Sequence, residues 1–449
     1  MSLRSILLLL VCSLAIFPAC ADSSSDLADQ FHPAAAPQPT HLLLKKNDRL
    51  AICGDSITEQ KMYSRMVEDY LTMCVPQLQV TVRQFGWSGE RAPGFLARMT
   101  NDCLRFKPTI ATTCYGMNDF AYQPYQDYLG TLYQTNTVAI VQSFKAHGTR
   151  VIVGSPGCIG KIPPWAKARA ETNAEETVQN LNFSLGTFRN LDIGIARDEK
   201  VGFADVFWPM LTAAAEAQAK FGTNYGVSGP DGVHPHWAGH TIMAYAFLKA
   251  MGLDGDIGTF TVNLAKNKMK VSKSHEVISA GNGTYQITSS RYPFCPCVPA
   301  ALSAANYPAC ETDGFASDNS IRSGMTFVPF NQDLNRLILV AKNGSAQNYK
   351  VSWGNQDKTF SAGQLASGIN LAAEFPENPF SAAFAKVDAA VAAKQAFETR
   401  QIKEMFRSAA AHTNMEAVVT SSEQTRQGLA DAIKAAFVPV TYTIAITAE

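Results

Sequence analysis

Short apolar runs alternate with longer amphipathic segments through the first half of the chain. Five runs have the length and composition of buried strands: residues 50–53, 79–85, 109–114, 151–154 and 202–206. Segments with helical spacing or helix-favouring composition lie between and after these runs, at residues 60–74, 124–147, 168–190 and 237–251. Because strands that alternate with helices form parallel sheets covered on both faces, residues 46–253 are predicted to be a three-layer α/β/α domain.

The pattern changes after Gly258, where short strand-like runs are separated by turn residues. These runs lie at residues 259–277, 284–287, 336–340 and 349–353. We expect a smaller β-rich domain at residues 255–375 and a helical C-terminal region at residues 376–449. A long helix at residues 389–407 is expected to pack on its own β domain, although it could instead cover the first domain or mediate a dimer. A chain cut near Gly258 is expected to be poorly soluble.

The N-terminal residues have the pattern of a secretory signal. A positive charge precedes an apolar run at residues 6–17, and Ala19-Cys20-Ala21 fits a cleavage site between small residues. We expect residues 1–21 to be a signal peptide and residues 22–45, rich in Ser, Ala and Pro, to be a linker. The protein is therefore expected to be exported to the periplasm or the medium, with lipid attachment at Cys20 as the alternative. No later segment is long and apolar enough to cross a membrane.

The balance of charge argues against one class of partner. The 449 residues contain 38 Lys and Arg and 38 Asp and Glu, so the formal net charge is zero. A nucleic-acid-binding protein usually has a basic excess or a basic patch, so no nucleic-acid partner is expected. These features leave the oligomeric state open.

Eight cysteines follow the signal region, and an exported protein can form disulfides. Cys74 with Cys103 is one candidate pair, and Cys310 with either Cys295 or Cys297 is another. The spacing of the last three cysteines lacks the paired two-residue gaps of a zinc ribbon, so no metal is expected there. Two further cysteines in apolar runs are expected to be buried thiols: Cys53 and Cys114.

Ser56 and the pair Asp231 and His234 are the candidate catalytic residues. Ser56 stands where the first predicted strand gives way to a helix, and Asp231 precedes His234 by three residues. A serine hydroxyl is a poor nucleophile at neutral pH and needs a general base, which in turn is oriented by an acid. The three residue types therefore predict a serine nucleophile with its base and orienting carboxylate. The other role open to Ser56 is that of a helix N-cap.

Four short segments occur in a fixed order along the chain: Gly54-Asp55-Ser56-Ile57-Thr58, Gly86-Trp87-Ser88-Gly89, Gly116-Met117-Asn118-Asp119 and Asp231-Gly232-Val233-His234-Pro235. Each alone is a weak signal, but the ordered set resembles the blocks of the SGNH (GDSL-type) hydrolase family. The resemblance covers residues 50–250. It implies a flavodoxin-like fold and a serine ester hydrolase that works through an acyl-enzyme without a metal or organic cofactor.

The resemblance also implies donors for the oxyanion that forms during acyl transfer. These are the backbone N–H groups of Ser56 and Gly89 and the side-chain amide of Asn118. Gly86 is the rival to Gly89 within the same segment. Asn118 could instead cap a helix, and Asp55 is expected to orient its loop rather than take part in the chemistry.

Other residues near these segments are candidates for lesser roles. His240 is expected to be a structural, hydrogen-bonded histidine, whereas His236 could line the pocket. Five aromatic residues are candidate substrate walls, although core packing is the favoured explanation for each of them except Trp87, which lies inside a motif: Trp87, Tyr115, Tyr122, Trp165 and Trp208.

The substrate is the least constrained property. A small-molecule or polysaccharide ester is expected, and export with an appended β-rich domain favours a carbohydrate O-acetylesterase by analogy with the family. The alternatives are a lipase, lysophospholipase or thioesterase of the same type. A protein of another class, a non-catalytic carbohydrate-binding or scaffold protein with a hydrolase fold, ranks lower because the key polar groups are all present.

Overall fold

The computed structural model describes residues 23–169, 173–297 and 319–449. The predicted signal peptide at residues 1–21, including Cys20, and the candidate disulfide residue Cys310 lie outside these ranges.

The first half of the chain is built on a five-stranded parallel sheet. Its strands are β1 (Arg49–Gly54), β2 (Thr81–Gln84), β3 (Ile110–Cys114), β4 (Arg150–Gly154) and β5 (Gly202–Ala204). Their order in the sheet is β2-β1-β3-β4-β5, and every neighbouring pair is parallel. All five residues of β3 are buried, as expected for a central strand covered on both faces. The predicted parallel-sheet fold is confirmed.

Helices flank this sheet and connect its strands. They are α1 (Ser23–Phe31), α2 (Ser56–Glu59), α3 (Tyr63–Asp69), α4 (Ala92–Asp102), α5 (Asp127–Ala146), α6 (Ala174–Glu199), α7 (Phe207–Phe221) and α8 (Trp237–Ala250). The sheet order reverses between β1 and β3, so the loops at the carboxyl ends of these two strands meet at a crevice. In open α/β sheets this is the place where ligands bind.

Two further sheets follow. Their strands are β6 (Asp256–Asn263), β7 (Lys268–Val271), β8 (His275–Gly281), β9 (Thr284–Ser289), β10 (Arg336–Lys342), β11 (Asn348–Trp353), β12 (Gln356–Ser361), β13 (Ile369–Asn370) and β14 (Val440–Ala448). One sheet has the order β13-β10-β6-β7, with β10 parallel to β6. The other has the order β12-β11-β14-β9-β8 and is antiparallel throughout.

The C-terminal region is helical over most of its length but ends in a strand. Short helices precede it, between the strands of the two added sheets: α9 (Ile321–Gly324), α10 (Phe330–Asp333), α11 (Ala362–Ser367) and α12 (Leu371–Glu374). Its own helices are α13 (Ser381–Lys403), α14 (Ala409–Thr413) and α15 (Met415–Ala436). The expectation of a wholly helical region at residues 376–449 is corrected by β14, which lies between β9 and β11. Its sequence alternates apolar and polar residues and is rich in Thr and Ile, which favours a strand.

Helix α13 packs on the parallel-sheet domain, which corrects the expectation that it would pack on its own β domain. Arg65 of α3 donates two hydrogen bonds to Asp388, the second with Nη2–Oδ2 2.7 Å. Gln395 donates to Glu68 at 2.8 Å and accepts from Ser64 at 2.8 Å. The face of α13 that meets α3 is polar, and its polar groups are paired with those of α3. A search of the sequence for apolar residues at helical spacing therefore does not predict this contact.

The same helices also cover the open edge of β2. The carbonyl of Val82 accepts from Lys394 Nζ at 2.7 Å and from Arg426 of α15 at 3.0 Å. The backbone N–H of Gln84 donates to Glu398 Oε2 at 3.1 Å. An edge strand leaves backbone groups unpaired, and here charged side chains satisfy them and block pairing with another chain.

The N-terminal segment at residues 22–45 is more ordered than the linker predicted for it. Helix α1 ends at Phe31, whose ring centroid lies 4.4 Å from that of Phe183 and 6.1 Å from that of Phe207. Leu44 is buried as well. Leu27 and Phe31 are four residues apart and lie on one face of α1, where both pack against the core. This short amphipathic pattern was not recognised within a segment rich in Ser and Ala.

The cysteines differ in part from expectation. Cys74 and Cys103 are buried thiols, so the predicted pair between them is wrong. Cys53 and Cys114 are buried thiols as predicted. Cys297 is disulfide-bonded. In the part of the chain that the structure describes, no helix has the length and apolar character needed to cross a bilayer.

Candidate active site

Strand β1 delivers Ser56 to the carboxyl edge of the sheet. Asp55 is the N-cap of α2 and its carboxylate accepts from the backbone N–H of Ile57 at 3.0 Å. Ser56 is the first helical residue, so the capping role considered for it belongs to Asp55. A Cβ on Gly54 would lie 2.1 Å from Thr58 Oγ1, which explains why the turn before Ser56 begins with glycine.

Ser56, His234 and Asp231 form a continuous hydrogen-bonded chain. Ser56 Oγ lies 2.8 Å from His234 Nε2, and His234 Nδ1 lies 2.6 Å from Asp231 Oδ2. A carboxylate only accepts, so Nδ1 carries the proton and Nε2 is left to accept the Ser56 hydroxyl proton. This is the tautomer in which histidine can act as a general base toward Ser56.

Asp231 is fixed by its own loop. Its Oδ1 accepts from the backbone N–H groups of Val233 and His234, each at 2.9 Å. Partial burial raises its pKa, but these two N–H groups and the His234 side chain outweigh burial and bring the pKa below its ordinary value. Asp231 therefore stays ionised and can compensate the imidazolium charge that forms when His234 takes a proton.

The segment at residues 86–89 contributes a tight turn beside Ser56. The backbone N–H of Glu90 donates to the carbonyl of Trp87 at 3.1 Å, and Gly89 has a φ of 73°. That φ favours glycine because a Cβ is disfavoured in the left-handed region. Ser88 and Gly89 are exposed at the tip of this turn.

The rival Gly86 has a different function in the structure. It is buried, and a Cβ on it would lie 2.3 Å from the backbone nitrogen of Glu59 in α2. Its own N–H donates to Gln84 Oε1 at 2.9 Å. Gly86 thus lets the chain pass close to α2, and its N–H is already engaged, which leaves Gly89 as the candidate donor.

Asn118 lies in the loop that follows β3. Its Nδ2 donates to the carbonyl of Glu90 at 3.1 Å and lies 3.5 Å from Asp55 Oδ2. Asp119 accepts from the backbone N–H groups of Ala92 and Gly116, at 2.9 and 3.0 Å, and so joins this loop to the start of α4. The loops that carry Ser56, Gly89 and Asn118 are therefore linked by hydrogen bonds.

Two carboxyl groups behind the site have raised pKa values. Burial raises the pKa of Asp55 to about 7, and the neighbouring Asp119 and Glu90 add to the effect. Burial also raises the pKa of Asp119 to about 6, although two backbone N–H groups oppose it. Titration of either carboxyl can therefore change the pH dependence of activity or stability without direct contact with the Ser56 hydroxyl.

An open cavity of about 500 Å³ lies over Ser56 and His234. Its walls are formed by residues from three stretches of the chain: Ser56, Glu59, Gln60, Lys61, Met62, Ser88, Pro230, Asp231, His234, Pro235 and His236. His236 lines it, as considered from the sequence. His240 is buried, with Nδ1 accepting from the Tyr63 N–H at 3.3 Å and Nε2 donating to Gln60 Oε1 at 3.0 Å. Burial lowers the pKa of His240 to about 3, so it is neutral.

One of the five candidate aromatic residues stands exposed beside the base. The Trp165 ring is 51% exposed, and its centroid lies 5.8 Å from that of the His234 ring. Tyr122 packs edge-on against it at 5.7 Å and lies 3.5 Å from Asn118 Oδ1 through its hydroxyl. Tyr115 is buried and donates to Glu90, while Trp208 packs near Phe31.

Glu59 and Lys403 were not recognised from the sequence. Glu59 lines the cavity, and its carboxylate accepts from the backbone N–H of Ser88 and from Lys403 Nζ. Glu59 follows Ser56 by three residues and so shares its helix face, which was an available signal. Lys403 lies in α13, and nothing in its local sequence distinguishes it from the other lysines. Across residues 23–169, 173–297 and 319–449, no group of three or more His, Cys, Asp or Glu residues could hold a metal ion.

Comparisons with known proteins were made for the whole chain. Residues 52–242 match the family model described as GDSL-like Lipase/Acylhydrolase family. Comparison with curated proteins finds no match. The chain is similar to the solved structure of a gut microbial diltiazem-metabolizing enzyme, with a TM-score of 0.69 and 21% identity over 92% of this chain and 99% of that one. It is also similar to an acetylxylan esterase from Geobacillus stearothermophilus, with a TM-score of 0.38 and 21% identity over 47% of this chain and 97% of that one.

The first of these similarities extends beyond the matched family domain. It covers 92% of the chain, so it includes much of the region that follows residue 242. At 21% identity it shows a shared fold and no more. The arrangement of a parallel-sheet domain with added sheets and C-terminal helices therefore recurs in another solved structure.

Proposed function

We propose, from the match of residues 52–242 to the GDSL-like lipase/acylhydrolase model, that the protein is an ester hydrolase that removes small acyl groups, acetate first among them, from carbohydrate hydroxyls. The observation that carries the proposal is the Ser56–His234–Asp231 chain at the floor of an open, polar cavity beside the exposed Trp165.

The reaction begins at Ser56. His234 Nε2 takes the hydroxyl proton while Ser56 Oγ attacks the ester carbonyl carbon and forms a tetrahedral intermediate. The bond to the alcohol then breaks, and the alcohol oxygen receives the proton from His234 Nε2. A water molecule attacks the resulting acyl-enzyme, His234 takes the water proton and returns it to Ser56 Oγ, and the free acid leaves.

The charge that develops on the carbonyl oxygen is stabilised by the proposed donors of Ser56, Gly89 and Asn118. The turn that carries Gly89 and the loop that carries Asn118 are joined by the bond from Asn118 Nδ2 to the Glu90 carbonyl. Donors held in place before the reaction stabilise the transition state without reorganisation, and each contributes about 100- to 1000-fold in rate.

The polarity of the cavity supports a short acyl group. Of its described wall residues, only Met62, Pro230 and Pro235 are apolar. A long acyl chain would need an extended apolar channel to remove its methylenes from water, at about 0.8 kcal/mol for each. Acetate needs no such channel.

Trp165 supports a carbohydrate as the alcohol. Its indole is exposed, and its centroid lies 5.8 Å from that of the His234 ring. This arrangement is suited to packing against the apolar face of a sugar ring. The signal-like sequence at residues 1–21 supports export, where polysaccharide substrates are found. We therefore place the activity outside the cytoplasm.

A panel of esters tests the substrate class. Hydrolysis of acetylated xylan and acetylated oligosaccharides is compared with that of 4-nitrophenyl esters of two to twelve carbons and of acyl thioesters, and xylan binding is measured in parallel, using the parent protein and Ser56→Ala. We expect acetate release from the sugars, a steep decline with acyl length, and loss of about a million-fold in kcat for Ser56→Ala. Preference for long chains would indicate a lipase, preference for thioesters a thioesterase, and carbohydrate binding with no hydrolysis a non-catalytic protein.

A further inference from the structure

Building on the proposed function, we infer that Lys403 of the C-terminal helix α13 is a positioning residue of the active site, which through Glu59 holds the turn that carries Gly89. The ion pair is bidentate, with Lys403 Nζ 2.7 Å from Glu59 Oε1 and 2.9 Å from Oε2. Glu59 in turn accepts from the backbone N–H of Ser88, the residue immediately before Gly89.

Glu59 is placed to transmit this contact because it ends the helix that Ser56 begins. The carboxylate lies in the wall of the cavity, and its side chain is 17% exposed. Burial raises its pKa, but Lys403 and the Ser88 N–H outweigh burial and hold the pKa below its ordinary value. Glu59 therefore remains charged, and a charged acceptor binds the Ser88 N–H more strongly than a neutral one.

Without Glu59, one side of the turn at residues 87–90 would be weakly held. On its other side, Glu90 accepts two hydrogen bonds from Arg98, at 2.6 and 2.7 Å. Ser88 and Gly89 themselves are exposed. The backbone N–H of Trp87 donates to the carbonyl of Gly54 at 3.1 Å and fixes the start of the turn. The Glu59 carboxylate holds the exposed tip, at the N–H of Ser88.

The C-terminal region also contacts the indole ring of Trp87, the first residue of this turn. Lys403 Nζ and the Arg407 guanidinium each lie 5.2 Å from the centroid of the Trp87 ring. Arg407 is itself held by two 2.7 Å bonds to Asp102 of α4. A cation over the face of an indole is attracted by the negative potential of the ring. The turn is therefore held both from below, at Trp87, and from its tip, at Ser88.

The test compares Lys403→Met, Lys403→Arg, Glu59→Ala and the Lys403→Met/Glu59→Ala double variant in steady-state hydrolysis of 4-nitrophenyl acetate. Displacement of a donor by about 1 Å costs up to 100-fold. We expect kcat to fall 10- to 100-fold in Lys403→Met with KM within twofold, and to be largely restored in Lys403→Arg. Because Lys403 acts mainly through Glu59 and only secondarily through its contact with the Trp87 ring, the double variant should be at most a few-fold slower than Glu59→Ala, far short of the product of the two single losses.

Two controls separate positioning from a structural role. Lys434→Met removes an exposed lysine of α15 whose Nζ lies 3.4 Å from Asp431 Oδ1 in the same helix, and it should keep the parent kcat. The acidic limb of the pH profile of kcat should move to higher pH in Lys403→Met, because Glu59 then loses the cation that holds its pKa down and keeps only Lys61 as a nearby cation among the described residues. A loss of stability alone would not move that limb.

The outcomes are distinguishable. A parent that hydrolyses no ester overturns the proposed function and this inference together. An active parent, abolished by Ser56→Ala, whose kcat is unchanged in Lys403→Met or in Glu59→Ala overturns the inference alone. Should Lys403→Met not fold, Lys403→Gln replaces it: a kcat equal to that of the parent overturns the inference, and a loss that Lys403→Arg restores supports it.

Discussion

At the scale of single residues, Asp55 and Asp231 are carboxylates of one site whose surroundings shift their pKa values in opposite directions. Asp231 is exposed enough to be solvated and accepts backbone N–H bonds, so its pKa is lowered. Asp55 is buried near Asp119 and Glu90, and its pKa is raised to about 7. The two residues are therefore expected to respond differently when their charge is removed.

For Asp55→Asn we expect a flatter dependence of stability on pH. The folded pKa of about 7 lies above the ordinary value of 3.8, so the folded protein binds the extra proton between these values. Asp55 stabilises the fold at low pH, and this contribution is lost as pH rises toward 7. Asn keeps an acceptor for the Ile57 N–H and cannot titrate.

Urea unfolding at pH values from 4.5 to 7.5 measures this effect. The free energy of unfolding of the parent should fall, relative to Asp55→Asn, by on the order of a few kcal/mol across the window. Parallel curves for the two proteins would show that Asp55 is ionised at low pH in the folded state.

For Asp231→Asn we expect loss of activity with little loss of stability. Asn can still accept the N–H groups of Val233 and His234, but it cannot compensate an imidazolium or enforce the tautomer. A fall of about 10⁴-fold in kcat is expected, measured with 4-nitrophenyl acetate. His236→Gln, in the same cavity wall, is the matched control and should change kcat little. Equal losses in both variants would argue against the role proposed for Asp231.

The sequence predicts residues of this site where local geometry defines them. Asp231 and His234 are joined by one turn, and Ser56 follows a strand that its apolar run identifies. Glu59 is within one helical turn of Ser56 but resembles any exposed glutamate. Lys403 is brought to Glu59 by tertiary packing over 344 residues of sequence, and no local pattern encodes such a contact.

At the scale of elements, two neighbouring glycines are needed for different reasons. Gly86 lies where the chain passes close to α2, and Gly89 lies in the exposed turn at residues 87–90. At Gly86 the obstacle is the backbone of α2, whereas at Gly89 it is the left-handed φ alone, with open space around the position. Backbone atoms of a packed helix cannot move aside at low cost, but an exposed turn can relax.

We therefore expect Gly86→Ala to be the more damaging of two matched substitutions. Gly89→Ala should lower the free energy of unfolding by about 1–2 kcal/mol through its φ. Gly86→Ala should lower it by about 3 kcal/mol or more and should displace α2 together with Ser56. Denaturant unfolding and ester hydrolysis measure both effects. A Gly86→Ala protein as stable as Gly89→Ala would mean that α2 is not rigidly seated.

Elements were predictable where hydrophobic periodicity defines them and less so where polar groups do. The strands of the parallel sheet are apolar runs, and the hydrophobic pattern predicts both that they are strands and where they lie along the chain. Helix α13 is docked by Asp388, Lys394, Gln395 and Glu398, which read in the sequence as a solvated face. Strand β14 shows alternation, but its place between β9 and β11 depends on pairing with strands far away in the chain.

At the scale of the whole molecule, the parallel-sheet domain and the C-terminal helices share buried charges. Glu68 of α3 is buried and is met by Gln395 and Lys394, both from α13. Removing one member of such a buried set leaves the other desolvated, at a cost of about 3–5 kcal/mol. The domain that contains residues 52–242 therefore needs α13 to neutralise its buried charges.

A chain truncated near Gly258 is accordingly expected to be poorly soluble. Truncation would uncover the edge of β2, where Val82 and Gln84 meet α13 and α15, and would expose a strand able to pair with another copy. Soluble yield and size-exclusion chromatography compare the truncated chain with full-length Ser56→Ala, which should be soluble. A monomeric and fully active fragment would show that the C-terminal region is an independent module.

The central position of β14 in its sheet has a consequence for protein synthesis. Ser289 and Tyr442, whose hydroxyls bond at 2.9 Å, are separated by 153 residues, so β9 leaves the ribosome long before the strand that pairs with it. Lys403 likewise emerges well after Ser56 and its loops. Ribosome-bound chains stalled at increasing lengths should gain full esterase activity only after α13 has been released. Full esterase activity would then show that the ribosome has released α13.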